Sequence, residues 1–130
     1  MPAVEESMRN LVDHLVDQIP GVTGAQVSSA DGFALASRLP LYSEIDPSAL
    51  AAMSAATLGL ANRLVQLAGP QAADVSIQRS GDGQVLVFGI GGAAALTILA
   101  EPTADLEQLQ RAGGEVSVGL QRLFRGAASA

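Results

Sequence analysis

The sequence contains no cysteine and no lysine, and each absence removes a class of chemistry. Without cysteine the chain forms no disulfide, no thiolate metal site and no cysteine nucleophile. Without lysine it lacks the side chain with which a P-loop reaches the phosphates of a nucleotide. Aromatic residues make up only 3% of the 130 residues, so the core has to be built from aliphatic side chains.

Positive charge is also scarce. The net charge is −6 and all seven basic residues are arginines, without a basic run. This argues against nucleic acid and anionic membrane surfaces as partners. The N-terminus, MPAVEESMRN, is acidic and polar rather than a signal peptide, and we expect a cytoplasmic protein. At 48% apolar residues, one domain over residues 1–130 is predicted, with an ordered core of about 5–124.

Groups that carry catalysis are few and scattered. His14 is the only histidine, and it lies on the polar face of a predicted helix. No HExxH spacing and no Gly-x-Ser-x-Gly elbow is present. Asp31 and Asp82 lie at predicted turns, and the glycines of 89–92 lie between two strands, where they favour a tight turn over a phosphate cradle. The sequence therefore predicts a protein that is not an enzyme, without cofactor or metal.

Hydrophobic periodicity and turn residues predict eight elements in the order α-β-β-α-β-β-β-α. The predicted helices are 5–19, 48–68 and 105–124, and the predicted strands are 22–28, 33–38, 74–79, 84–90 and 93–100. The strand 74–79 alternates polar and apolar residues, which is typical of a sheet edge, whereas 84–90 and 93–100 are nearly continuous apolar runs. We expect an α+β fold, a five-stranded, mostly antiparallel sheet with helices on both faces.

The central helix has an unusual composition. Asp46 suits its N-cap, Pro47 suits its first position, and Gly69-Pro70 ends it. Between Ser48 and Ala68 its only charged residue is Arg63, so the helix is apolar nearly all round. Such a helix is covered on more than one side, by a partner or by a membrane. The polar Asn62, Arg63 and Gln66 at one end argue against membrane insertion.

The large side chains of this helix form a stripe that we expect to face its own sheet. The stripe comprises Leu50, Met53, Thr57, Leu60, Leu64 and Leu67.

The order of elements and several segments resemble the roadblock/LC7 family. The matching pieces are PGVTGAQVSSADGFALAS at 20–37, the alanine-rich central helix, the DVSIQR/QVLVFGI hairpin and the AALTILA strand. The resemblance covers about residues 5–124 and implies a profilin-like sandwich. It also implies a homodimer, or a heterodimer with a sister chain, that binds and regulates a small Ras-like GTPase and has no hydrolytic centre of its own.

This resemblance leads to two predicted surfaces. The dimer contact is predicted at Leu58, Ala61, Val65, Asp74, Val75, Ser76, Ile77, Gln78 and Arg79. The GTPase-binding face is predicted at Ala52, Ala55, Gly59, Asn62, Arg63 and Gln66. A plainer interpretation of Arg63 is that it only solubilises an apolar helix. An alternative function is a small-ligand sensor with a pocket in the sandwich, although the sequence offers few convergent polar groups for one.

Overall fold

The computed structural model describes residues 2–129, and side chains are described for residues 3–127. Three helices and five strands follow one another in the predicted order. They are α1 (Pro2–Gln18), β1 (Val22–Ser29), β2 (Ala34–Arg38), α2 (Pro47–Val65), β3 (Val75–Arg79), β4 (Gln84–Ile90), β5 (Ala94–Ala100) and α3 (Leu106–Ser129). Met1 and Ala130, which the predicted domain includes, lie outside the described residues.

The five strands form one sheet in the order β2-β1-β5-β4-β3, and all neighbouring strands are antiparallel. The near-continuous apolar strands β4 and β5 lie inside the sheet, and β3 lies at an edge, as predicted. Gly32 and Gly91 turn the chain with φ of +89° and +56°, a region that glycine enters without a steric penalty. The open edges of the described sheet are therefore β2 and β3.

The helices cover both faces of the sheet, which confirms the predicted α+β architecture. On one face α1 and α3 pack against every second residue of β1, β4 and β5, and this contact is the aliphatic core. Its fully buried side chains include Leu15, Leu86, Ile90, Leu96, Ile98, Leu109 and Leu120. On the other face lies α2 alone, contacting all five strands.

A small ion-pair cluster ties β2 to α1. An Arg38 Nη2 contacts Asp17 Oδ1 at 2.8 Å, and Arg38 Nη1 donates to Asp13 Oδ1 at 3.3 Å. The hydrogen bond from Arg38 lowers the pKa of the Asp17 carboxyl below its ordinary value, and the two carboxylates raise the pKa of Arg38. The only charged side chain of β2 is thus engaged with α1.

Two helix ends differ from the predicted ones. The helix α2 ends at Val65 rather than Ala68, and the next residues form a tighter turn in which the Leu67 and Ala68 amides donate to the carbonyls three residues back. The helix α3 continues to Ser129, past the predicted end at 124. Its last residues include alanines, and alanine favours a helix.

Candidate functional site

The start of α2 is fixed by two polar contacts. The Asp46 carboxylate accepts a hydrogen bond from the Ser48 amide at 3.1 Å, which confirms Asp46 as the N-cap. From the sheet, the side-chain amide of Gln26 donates to the Pro47 carbonyl at 2.8 Å. Because Gln26 itself is fully buried on β1, this bond anchors the start of the helix to the strand next to the β2 edge.

The side of α2 that faces the sheet carries small side chains, Ala51 and Ser54, beside Leu50. Leu50, Ala51 and Ser54 are its buried residues. The hydroxyls of Ser54 and Thr97 on β5 form a buried hydrogen bond of 2.6 Å. Small side chains bring the helix close to a sheet face that is itself polar at Gln26 and Thr97.

The large apolar stripe of α2 therefore faces outward, and the predicted orientation of the helix is wrong. Leu50 is buried and Thr57 half-buried, but Met53, Leu60 and Leu64 are about 60% exposed. Leu67, in the turn after the helix, is 85% exposed. The error has a physical origin: the expectation assumed that the largest side chains face the sheet, whereas the sheet accepts the small ones.

The residues predicted for a dimer contact are only partly brought together. Ala61 and Val65 line a shallow groove with Leu64 and residues 73–76, at the β3 edge. Leu58 instead is half-buried on the sheet side, within 4.0 Å of where a side chain on Gly89 would begin. Within β3, Val75, Ser76 and Ile77 are half-buried, whereas Gln78 and Arg79 are exposed, as is the neighbouring Asp74.

The residues predicted for a GTPase-binding face divide into two groups. Ala52, Gly59, Arg63 and Gln66 are exposed on the outer side of α2. Ala55 is half-buried beside the β1–β2 turn, and the Asn62 side-chain oxygen accepts from the Ala73 amide at 2.8 Å. Asn62 therefore holds the connector that leads into β3.

A second feature borders α2 on the side of Asn62. An open cleft of about 810 Å³ lies between this flank of α2, the Gly91-Gly92 turn and α3. Its lining includes the amide side chains of Gln71, Gln110 and Gln121, and Asp74 is its one charged residue among those described. The hydroxyl of Ser117, also in the lining, has no hydrogen-bond partner in the described structure.

The structure bears on a membrane-spanning helix and on a metal-binding cluster only within residues 2–129, which it describes. No helix in this range combines the length and hydrophobicity needed to cross a bilayer. No group of three or more histidine, aspartate or glutamate side chains in this range is arranged to hold a metal ion.

Comparison with known proteins gives consistent results. A family model described as Roadblock/LC7 domain matches residues 8–100. No curated protein matches the sequence significantly. Among solved structures, the chain is similar to MglB with tetrameric arrangement (20% identity, TM-score 0.85, covering 96% of this chain and 93% of that one). It is similar to Myxococcus xanthus MglB, with 15% identity and a TM-score of 0.84 over 94% of this chain and 90% of that one. It is also similar to Acanthamoeba castellanii profilin IB, with 16% identity and a TM-score of 0.65 over 88% of this chain and 97% of that one. This similarity agrees with the expected profilin-like sandwich.

Proposed function

This chain belongs to the roadblock/LC7 domain family, and from that premise we propose that it is a non-catalytic, dimeric regulator of a small Ras-like GTPase. Membership of this family supports a role in GTPase regulation. The dimer, the binding faces and a cytoplasmic location are our proposals. The observation that carries the dimer and the binding faces is the outward apolar stripe of α2, next to the open edge of β3.

The dimer contact is proposed at the β3 edge and the adjoining flank of α2. Leu60 and Leu64 are four residues apart and lie on one side of the helix, as residues at this spacing do. Leu64 borders the groove at residues 73–76 together with Ala61 and Val65. A second copy related by a two-fold axis would place its own stripe against this one, and its β3 against this β3. Such a contact removes from water both the leucines and the unpaired backbone groups of the edge.

The GTPase contact is proposed on the outer face of α2, at Ala52, Gly59, Arg63 and Gln66. The small side chains at 52 and 59 allow another backbone to approach the helix closely. Arg63 is the only charge on the helix and is exposed, and arginine is a common anchor of protein interfaces. Ala55 and Asn62, from the same predicted face, support it from inside rather than contact the partner.

A charge reversal tests this face. We expect Arg63→Glu to weaken binding to a small Ras-like GTPase at least tenfold, because it replaces the one cation of the face by an anion. The probe is a panel of purified small Ras-like GTPases from the same genome, loaded with GDP or a GTP analogue, measured by biolayer interferometry. The control is Arg122→Glu, the same reversal at an exposed position of α3. Equal losses of affinity in the two variants would refute the proposal that this face binds the GTPase.

A second candidate, the small-ligand sensor, has the 810 Å³ cleft in its favour. That volume lies in the range of small-molecule sites. The described lining offers amides and one carboxylate but no cation, so it is unsuited to a phosphate or carboxylate ligand. The apolar stripe of α2 would remain unexplained by a sensor acting alone. We therefore retain GTPase regulation as the conclusion.

A further inference from the structure

Two of the few aromatic residues of this chain lie on its surface. The sequence holds three phenylalanines and one tyrosine. Phe88 is buried, but Phe33 is 67% exposed and Tyr42 is fully exposed. Three exposed aliphatic residues, Leu35, Leu41 and Ile45, lie in the same stretch of sequence. We call Phe33, Leu35, Leu41, Tyr42 and Ile45 the β2 strip.

The β2 strip adjoins the outer face of α2. A side chain on Gly32 would begin 3.3 Å from the Ala52 Cα, so Gly32 contacts the N-terminal half of α2. Phe33 is the next residue in the sequence. At the other end Ile45 immediately precedes the N-cap Asp46. The strip thus begins and ends beside the same half of the helix. It continues the proposed GTPase-binding face toward the β2 edge.

The proposed dimer does not cover this strip. The strands β2 and β3 are the two opposite edges of the sheet, so a contact across β3 leaves β2 free. The strand register shifts at Val27/Ser28, which leaves Leu35 as an extra residue in β2. Such a bulge interrupts the regular backbone pattern that an added strand would need. The strip is therefore suited to side-chain contact rather than to extension of the sheet.

Tyr42 also adopts a costly backbone conformation. Its φ is +64°, the only positive φ of a non-glycine residue among those described. This region costs an ordinary side chain roughly 1–2 kcal/mol, and asparagine enters it more readily. Nothing within the described chain covers the ring, so the fold alone does not account for a tyrosine there. Strained residues of this kind are concentrated at binding sites.

The part of α2 proposed to contact the GTPase is too poor in large side chains to form an interface by itself. Stable interfaces cover about 800 Å² per partner and depend on aromatic and arginine anchors. At Ala52, Gly59, Arg63 and Gln66 the only such anchor is Arg63. An aromatic side chain contributes roughly 150–250 Å² when covered, so Phe33 and Tyr42 together supply about 300 Å². The strip supplies the area that the helix lacks.

We propose that the β2 strip is the second half of the GTPase-binding surface, with Phe33 and Tyr42 as its anchors. This inference rests on the proposed function and deepens it. Three exposed carboxylates border the strip, those of Asp31, Glu44 and Asp46. The one cation of β2, Arg38, is paired with α1. The matching surface of the GTPase therefore presents apolar side chains with basic residues at its rim.

Tyr42→Asn separates binding from folding. We expect its melting temperature to equal or exceed that of the unmodified protein, because asparagine suits φ of +64°. We expect its affinity for the GTPase to fall at least tenfold, and that of Phe33→Ser likewise. The control is Val118→Ser, which removes an exposed apolar side chain (48%, against 67% for Phe33) from α3, the helix on the other face of the sheet; its affinity should stay within twofold. The probe is the GTPase of the panel that binds the unmodified protein most tightly.

The outcomes distinguish this inference from the proposed function. If Arg63→Glu weakens binding while Tyr42→Asn and Phe33→Ser bind normally, the β2 strip does not contact the GTPase. The inference is then refuted and the proposed function stands. If the strip variants change the molar mass in light scattering but bind the GTPase normally, the strip is a contact between copies, which also refutes the inference. If the unmodified protein binds no GTPase of the panel at tens of micromolar, both proposals fail.

Discussion

At Gly113, α3 comes so close to the sheet that no side chain fits. A Cβ placed there would overlap the ring of Phe88 and lie 3.1 Å from Cδ1 of Ile98. The neighbouring Gly114 has nothing within 4 Å of such a Cβ. The pair of glycines predicts a close approach of this helix to the sheet, and the structure shows that only the first of them provides it.

The two glycines give opposite predictions for substitution by alanine. Gly114→Ala should raise the free energy of unfolding by up to about 1 kcal/mol, because alanine favours the helix and meets no neighbour. Gly113→Ala gains the same preference but has to displace a buried aromatic ring, and overpacking of this kind costs about 1–3 kcal/mol. Urea unfolding of both variants measures the difference. Two shifts of the same sign and size would contradict the packing described for Gly113.

At the scale of the element, α2 is held on the sheet by polar contacts that can be separated by mutation. Ser54→Ala leaves the Thr97 hydroxyl buried without its partner, which should cost about 1–3 kcal/mol. Thr97→Val should cost a similar amount by leaving Ser54 unpaired. The double variant removes both hydroxyls, so its loss should be smaller than the sum of the single losses. Thermal and urea unfolding of the four proteins complete the cycle, and additive losses would show that the two hydroxyls do not interact.

The same contacts explain which elements could be predicted from the sequence. The hairpin at Ala30-Asp31-Gly32 and the edge position of β3 depend on turn residues and alternation within a few residues. The orientation of α2 depends instead on distant residues of β1 and β5, namely Gln26 and Thr97. Nothing local shows that this sheet face is polar. The size of the side chains in α2 therefore led to the wrong orientation.

The candidate site was predicted less completely than the fold, for a related reason. The composition of α2 indicates that the helix is short of polar residues, but it does not show that the stripe of large side chains faces away from the sheet. The spacing of Met53, Leu60 and Leu64 is visible in the sequence, yet a stripe of leucines is compatible with either side of the helix. The exposure of Phe33 and Tyr42 was not predicted. Their only sequence signal is that aromatic residues are rare in this chain and that Tyr42 lies in a connector.

For the whole molecule, the fold leaves two unequal edges open. The edge at β3 has an apolar helix flank above it, and the edge at β2 has the strip of exposed aromatic and aliphatic side chains. A contact between two copies at β3 would extend one sheet through both subunits and leave a β2 strip at each end. The two α2 helices would then lie side by side, and each outer face would be continuous with its own strip. We therefore propose that one surface contacts the second copy and the other contacts the GTPase.

The β3 edge and the leucine flank of α2 make the self-association testable. We expect the unmodified protein to have twice the mass of the 13.2 kDa chain in sedimentation equilibrium at micromolar concentration. Leu64→Glu should convert it to a monomer, because a carboxylate would be buried without a partner in the groove with Ala61 and Val65. Leu64 is 59% exposed in the single chain, so the variant should keep its circular dichroism spectrum. Its melting temperature should no longer rise with concentration, as that of a dimer does. Val118→Glu, at an apolar position of similar exposure on α3, should remain dimeric; a monomeric unmodified protein, or dissociation of both variants alike, would refute this interface.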